Sequence, residues 1–289
     1  MALNPDTITL CWPNRVERAT LSGGAWLASL PLTLAQDPTL AVRCKSVDAA
    51  PESTWFDITL DKPRPIQCLA IAAHSFSAPA RYRVRIYGDV DQRFLLWDSA
   101  WQTVWPQLFA TAELEWEYDN YWLGTIAEED RALYTPLLTV FADDVQLAQQ
   151  VRVEIDDAGN PEGAVRFGRL FLADAWQPAT NVSYGIQHGF DNATEFAEAG
   201  DRTEYADVKR QRRTATFTLD WLSEEEAYQR LYSLQRVLGT HGELVYAFNL
   251  AARPENFART FLARQQQLDP LAQPYALTHT HSLKLLEIL

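Results

Sequence analysis

"ARYRVRIYGD", residues 80–89, is the stretch that decides the fold class. Arg81, Arg83 and Arg85 alternate with Tyr82, Val84 and Ile86. A period of two puts the arginines on one face of a strand and the apolar side chains on the other. Upstream, "LAVRCKSV" (40–47), "TWFDITL" (54–60) and "IQCLAIAAHS" (66–75) read as strands, with Pro, Asp or Ser between them. Downstream come "FLLWDS" (94–99), "QVRVEIDD" (150–157) and "VRFGRLFLADAW" (165–176). Strands at roughly 8–12-residue spacing predict a β-sandwich over residues 1–176.

Residues 100–136 break this rhythm and read as a long insertion, partly helical around 127–134. It carries four tryptophans: Trp101, Trp105, Trp116 and Trp122. The domain boundary falls near "LADAWQPATNVSYG", where Pro178 and small polar residues mark a turn. Residues 177–289 then form a smaller β-domain. Its strands are "NVSYGIQHGF" (181–190), "RRTATFTLDW" (212–221), "GELVYAFN" (242–249), "RTFLARQQQ" (259–267) and "YALTHTHSLKLLEIL" (275–289). The fold class is mainly β, with one clear helix over 224–238.

That helix is legible in detail. Ser223 stands three residues before Glu226, the spacing of a capping box. Glu224 and Glu225 sit at the positive end of the helix dipole. Ala227, Leu231, Leu234 and Leu238 make one apolar stripe, and Gly239 supplies a left-handed stop. The three glutamates start a helix and are not read as catalytic acids.

Composition narrows the function. Of 289 residues, 47% are hydrophobic and 22% charged, enough to bury sizeable cores. The formal net charge of −13 repels a polyanion, so nucleic acid is not expected as a partner. The acidity lies in the first part. Residues 1–175 hold 14 Lys and Arg against 24 Asp and Glu, and residues 176–289 hold 11 against 14. Cys11, Cys44 and Cys68 form no CxxC pair, which argues against a disulfide framework or thiolate metal site and fits a reducing compartment. "MALNPDTITLCW" has neither a basic start nor an apolar core, so no signal peptide is expected. No run approaches about 18 apolar residues, so no membrane insertion is expected.

No cofactor site, metal site or catalytic residue is read from the sequence. His279 and His281 would share a strand face, but no third ligand has supporting spacing, and polar β-edge residues explain them better. The acidic and aromatic letters of "AELEWEYDNYW" (112–122) interleave. Glycosidase carboxylates or sugar-stacking rings would fit there. A solvated insertion whose aromatics pack downward, or a protein contact, explains the same letters more simply. Trp116, Glu117, Tyr118, Tyr121 and Trp122 are the candidates for contact with a ligand or partner. "VKRQRRT" (208–214) is locally basic, which makes Lys209, Arg210, Arg212 and Arg213 candidates for a subunit interface. A solvated strand entry is the simpler account of them.

Two resemblances add to this. "WFDITLDKPRPIQCLAIAAHSFSAPARYRVRIYGD", with "QVRVEIDDAGNPEGAVRFGRLFLADAW" after the insertion, resembles a discoidin or galactose-binding-like jelly roll. The insertion departs from the plain pattern. From "RFGRLFLADAWQP" through "FTLDWLSEEEAYQRLYSLQRVLGTHGE" to the C-terminus, the chain resembles tail proteins of long-tailed bacteriophages and prophages, of the distal-tail or tail-tip class. That resemblance implies a non-enzymatic, ring-forming structural subunit of the virion tail, made in the bacterial host cytoplasm. It would contact itself and other tail proteins. The alternative is a carbohydrate-binding module that touches a host-surface glycan.

Overall fold

The computed structural model describes residues 2–116 and 120–289. Packing divides it into two compact units. The first is Met1–Gln177 with Val245–Thr260, and the second is Pro178–Leu244 with Phe261–Leu289. One boundary near residue 176 therefore does not describe the division. Residues 245–247 pair with Thr9–Cys11, and Leu250 donates its N–H to the Pro5 carbonyl at 2.8 Å, so the 245–260 segment packs with the N-terminal residues.

The first unit is built on one antiparallel sheet. Its main strand order is Arg169–Ala173, Trp55–Ala72, Leu137–Asp156, Arg81–Tyr87 and Leu95–Asp98. The alternation that opened the sequence reading holds. Tyr82, Val84 and Ile86 are buried, while Arg81, Arg83 and Arg85 pair outward with Asp156, Asp98 and Glu154. Residues 54–60 and 66–75, expected as two strands, run as one strand of 18 residues. It passes through Pro63, inside the register shift between Thr59 and Arg64, and through Pro65, opposite Leu147, and the side chains from 61 to 65 are mostly exposed. A proline costs no ladder bond where the ladder is already broken. Two register shifts interrupt the ladder of this strand and its partner, and both halves feed one core. Phe56 and Ile58 from one half join Leu69 and Ile71 from the other in a single apolar cluster.

The insertion begins tied to that core. Val104 and Trp105 are buried, and the Trp105 indole donates to the Phe76 carbonyl at 3.2 Å. A short helix follows at Glu128–Ala132. By contrast, the expected strand at 40–47 shrinks to Cys44–Lys45.

The second unit is an antiparallel sheet in the order Thr260–Gln265, Thr278–Glu287, Arg212–Leu222 and Gln187–Asp191, with Ala272–Tyr275 also on Thr278–Glu287. A hairpin of Glu195–Glu198 and Glu204–Asp207, not read as strands from the sequence, is separate from that sheet. The helix spans 224–238 and packs on the Thr278–Glu287 strand. Its cap is the expected one. Glu226 N–H donates to Ser223 Oγ at 3.2 Å, and Ser223 N–H donates to Glu226 Oε2 at 3.0 Å. Ala227, Leu231, Leu234 and Leu238 are all buried, and Gly239 takes φ +55°. The middle of the helix, Glu226–Tyr232, is wound as a π-helix. The sequence carries no sign of that.

His279 and His281 are not edge residues. Their strand is paired on both sides, and both side chains are buried under the helix. His279 meets Tyr228 edge-on at 5.5 Å, and burial lowers the pKa of His281.

Candidate functional site

The insertion presents three aromatic rings together. Trp116, Tyr121 and Trp122 lie edge-to-face, with centroids 5.2–6.0 Å apart. Trp116 is 69% exposed and Trp122 76%. The turn that carries Tyr121 and Trp122 is closed across residues 120–125. The Asn120 side-chain amide donates to the Thr125 carbonyl at 2.7 Å, and Gly124 turns the chain at φ +61°. Two further candidates, Glu117 and Tyr118, lie outside the described residues. Glu113 accepts the Ala110 N–H at 3.1 Å and so fixes its own turn. The aromatics of this segment divide: Trp105 packs inward, and Trp116 and Trp122 face solvent.

The basic candidates also divide. Lys209 pairs with Asp207 and Arg212 with Asp191, and Arg210 is exposed. Arg213, expected at a surface, is 4% exposed. Its guanidinium donates to Glu287 Oε1 at 2.6 Å and lies over the Phe261 ring at 5.0 Å. The reason is period two. Arg213 shares its face with Ala215, Phe217 and Leu219, and that face is the core. It belongs to the interior of the fold.

Three features escaped the sequence reading. The first is the hairpin, whose eight strand residues are all exposed, Phe196 and Tyr205 among them. Its weak β-alternation is masked by five acidic residues, Glu195, Glu198, Asp201, Glu204 and Asp207.

The second is a polar lattice on the outer face of the first unit. Arg83 and Asp98 pair through Nε at 3.0 Å, and Arg85 pairs with Glu154 at 2.7 Å. Arg152 lies 4.1 Å over the Trp55 ring and donates to Gln92, which in turn donates to Asp57 at 3.1 Å. Burial raises the Asp57 carboxyl pKa, against the pull of Arg152. Positive and negative groups alternate across this lattice and pair with one another, while Asp57 Oδ1, Arg85 Nε, Arg152 Nε and Glu154 Oε2 are buried without a hydrogen bond.

The third is Trp221. Leu219 faces His281 and Leu222 faces His279, so the strand carries one extra residue there. This bulge turns Trp221 outward at φ +62° and leaves it 63% exposed. A bulky residue at positive φ stores roughly 1–3 kcal/mol of strain, and such strain concentrates at binding sites. The bulge itself has no local sequence signal.

Among the described residues no group of three or more His, Cys, Asp or Glu is arranged to hold a metal ion, and no helix is long and apolar enough to cross a membrane.

No protein-family model and no curated protein matches the chain. Solved structures do. The family 32 carbohydrate-binding module of Clostridium perfringens NanJ, in complex with galactose, is 15% identical, with a TM-score of 0.37, over 58% of this chain and 99% of that one. A Streptococcus pneumoniae fucose-binding module is 10% identical, with a TM-score of 0.36, over 56% and 94%. The family 32 carbohydrate-binding module of Streptococcus pneumoniae EndoD is 16% identical, with a TM-score of 0.30, over 56% and 99%. At this distance the likeness brings no ligand with it.

Proposed function

We propose that the protein works by contact and not by turnover, and that its first unit recognises a neutral glycan through Trp116, Tyr121 and Trp122. The observation that carries this is the exposed trio. Two tryptophans more than two-thirds exposed, within 6.0 Å of each other, form an apolar surface in an otherwise acidic region. Contiguous exposed apolar surface of this kind marks an interaction site. The CH faces of a sugar ring supply the complementary apolar plate, and its hydroxyls tolerate the solvated surroundings. A neutral ligand avoids repulsion by the surrounding carboxylates. A printed glycan array tests it. Trp116→Ala and Trp122→Ala should each lower binding about tenfold or more while leaving the melting temperature unchanged. Array binding that neither variant lowers for any glycan would sink the reading.

A second reading is favoured by the hairpin at 195–207. On it the protein is a structural subunit at the tip of a virion tail, forming a ring with copies of itself and meeting other tail proteins. A two-stranded ribbon with no buried face is marginal alone and gains stability by packing on another surface. Phe196 and Tyr205, on opposite faces of the ribbon, are the apolar groups such packing would cover. Lys209 and Arg210 follow it and would meet acidic residues of a neighbouring copy. Native mass measurement should show a closed oligomer that the double substitution Phe196→Ser, Tyr205→Ser reduces to monomer. A monomeric wild-type chain, or absence of the protein from purified virions, would refute it.

A further inference from the structure

The Trp221 bulge does more than break a ladder. Tyr275 pairs with Thr278 across the Ala272–Tyr275 hairpin, so its side chain stands on the same outer face as Thr278, Thr280 and Ser282. Trp221 stacks on Tyr275 with ring centroids 5.9 Å apart and planes within 6°. Both rings are about two-thirds exposed, at 63% and 65%. Without the extra residue, the alternation that buries Arg213, Ala215, Phe217 and Leu219 would bury residue 221 as well. The fold thus holds a tryptophan out of its own core, in a conformation that suits glycine, and lays it parallel to a tyrosine.

Beside this aromatic plate runs a row of half-buried oxygens. Thr218 and Ser282 share a hydrogen bond at 2.9 Å. Asp220 accepts from Ser183 Oγ at 2.5 Å and from Thr280. All of them lie on the outer face, since Thr218 pairs with Ser282 and their neighbours two residues along share that side. A flat apolar surface bordered by hydroxyls and one carboxylate matches a molecule with a CH face and a hydroxyl rim. The Asp220 carboxylate disfavours an anion there.

We propose that Trp221 and Tyr275, with Asp220, Thr280 and Ser282 beside them, form a binding site in the second unit for the pyranose ring of a neutral glycan. The sugar ring lies on the aromatic plate, and its hydroxyls exchange hydrogen bonds with the oxygen row. This site is separate from the Trp116 trio and does not require it.

The test uses the full chain carrying Trp116→Ala and Trp122→Ala, so that only the second-unit site remains. On an array of neutral oligosaccharides, this chain should still bind. Adding Trp221→Gly or Tyr275→Ala should reduce that binding about tenfold or more, and Trp221→Phe should restore most of it. Glycine adopts φ +62° freely, so Trp221→Gly should melt no lower than its parent, which separates lost binding from lost folding. Three results overturn the proposal. One is a trio-deficient chain that binds no neutral glycan. Another is binding that neither Trp221→Gly nor Tyr275→Ala lowers. The third is array binding that persists while Trp221→Gly changes the oligomeric mass, which would give the plate to a protein partner.

Discussion

The two units differ in where most of their aromatic residues go, although the first also exposes Trp116 and Trp122. In the first, Trp26, Phe56 and Phe167 pack on one another at 5.5–6.1 Å inside a core that also takes in His74, Phe76 and Trp105 nearby. In the second, Phe196, Tyr205, Trp221, Tyr228, Tyr232 and Tyr275 are all exposed. The second unit buries Phe217 and Phe261, but the rest of its apolar core is leucine and alanine, and most of its rings stay at the surface. Rings in a core stabilise the fold, and rings kept outside at a conformational cost are there for something else to cover.

Substitutions can break or sharpen this contrast. The largest effect is expected in the first unit. Phe56→Ala removes a fully buried ring and should cost about 3–5 kcal/mol, read from denaturant melts. If it cost less than Trp221→Gly, the contrast would be inverted. In the second unit, Leu234→Ala empties the buried stripe of the helix and should cost about 2–5 kcal/mol by the same measurement.

Acid should separate the units next. Burial holds the His74 pKa down at about 3, and the ring stacks on Phe76 at 4.3 Å. A base whose folded pKa is depressed is favoured neutral. Its stabilisation is complete above the unfolded value near 6.5 and is lost as pH falls from there toward 3. At pH 4.5 the loss from His74 should be about 2–3 kcal/mol. His281 shifts in the same direction and adds to the loss in the second unit. Thermal melts from pH 7 to 4.5 should show this decline, and His74→Phe should flatten it. A stability that rose on acidification would contradict the assignment.

The smallest effects belong to the helix start. Ser223→Ala removes the Oγ that accepts the Glu226 N–H, leaves the residue 223 N–H on Glu226, and should cost about 0.5–2 kcal/mol. Glu225→Gln touches only the dipole and should change stability by less than about 1 kcal/mol. If Glu225→Gln proved the larger of the two, the glutamate run would have a role beyond starting the helix.

Much of this molecule was fixed by neighbours in the chain. The alternation at 81–86, the capping box of Ser223 and Glu226, the stripe from Ala227 to Leu238 and the stop at Gly239 all appear where the residues put them. Each rests on interactions a few residues long, whose geometry is set by backbone periodicity alone. Tertiary structure decided the rest. It joined residues 55–72 through two prolines, returned 245–260 to the first unit, drew Arg213 inward and turned Trp221 outward. These outcomes depend on which strand lies alongside and in what register. One extra residue in a ladder reverses which face every later side chain takes, and only the partner strand shows where that residue sits.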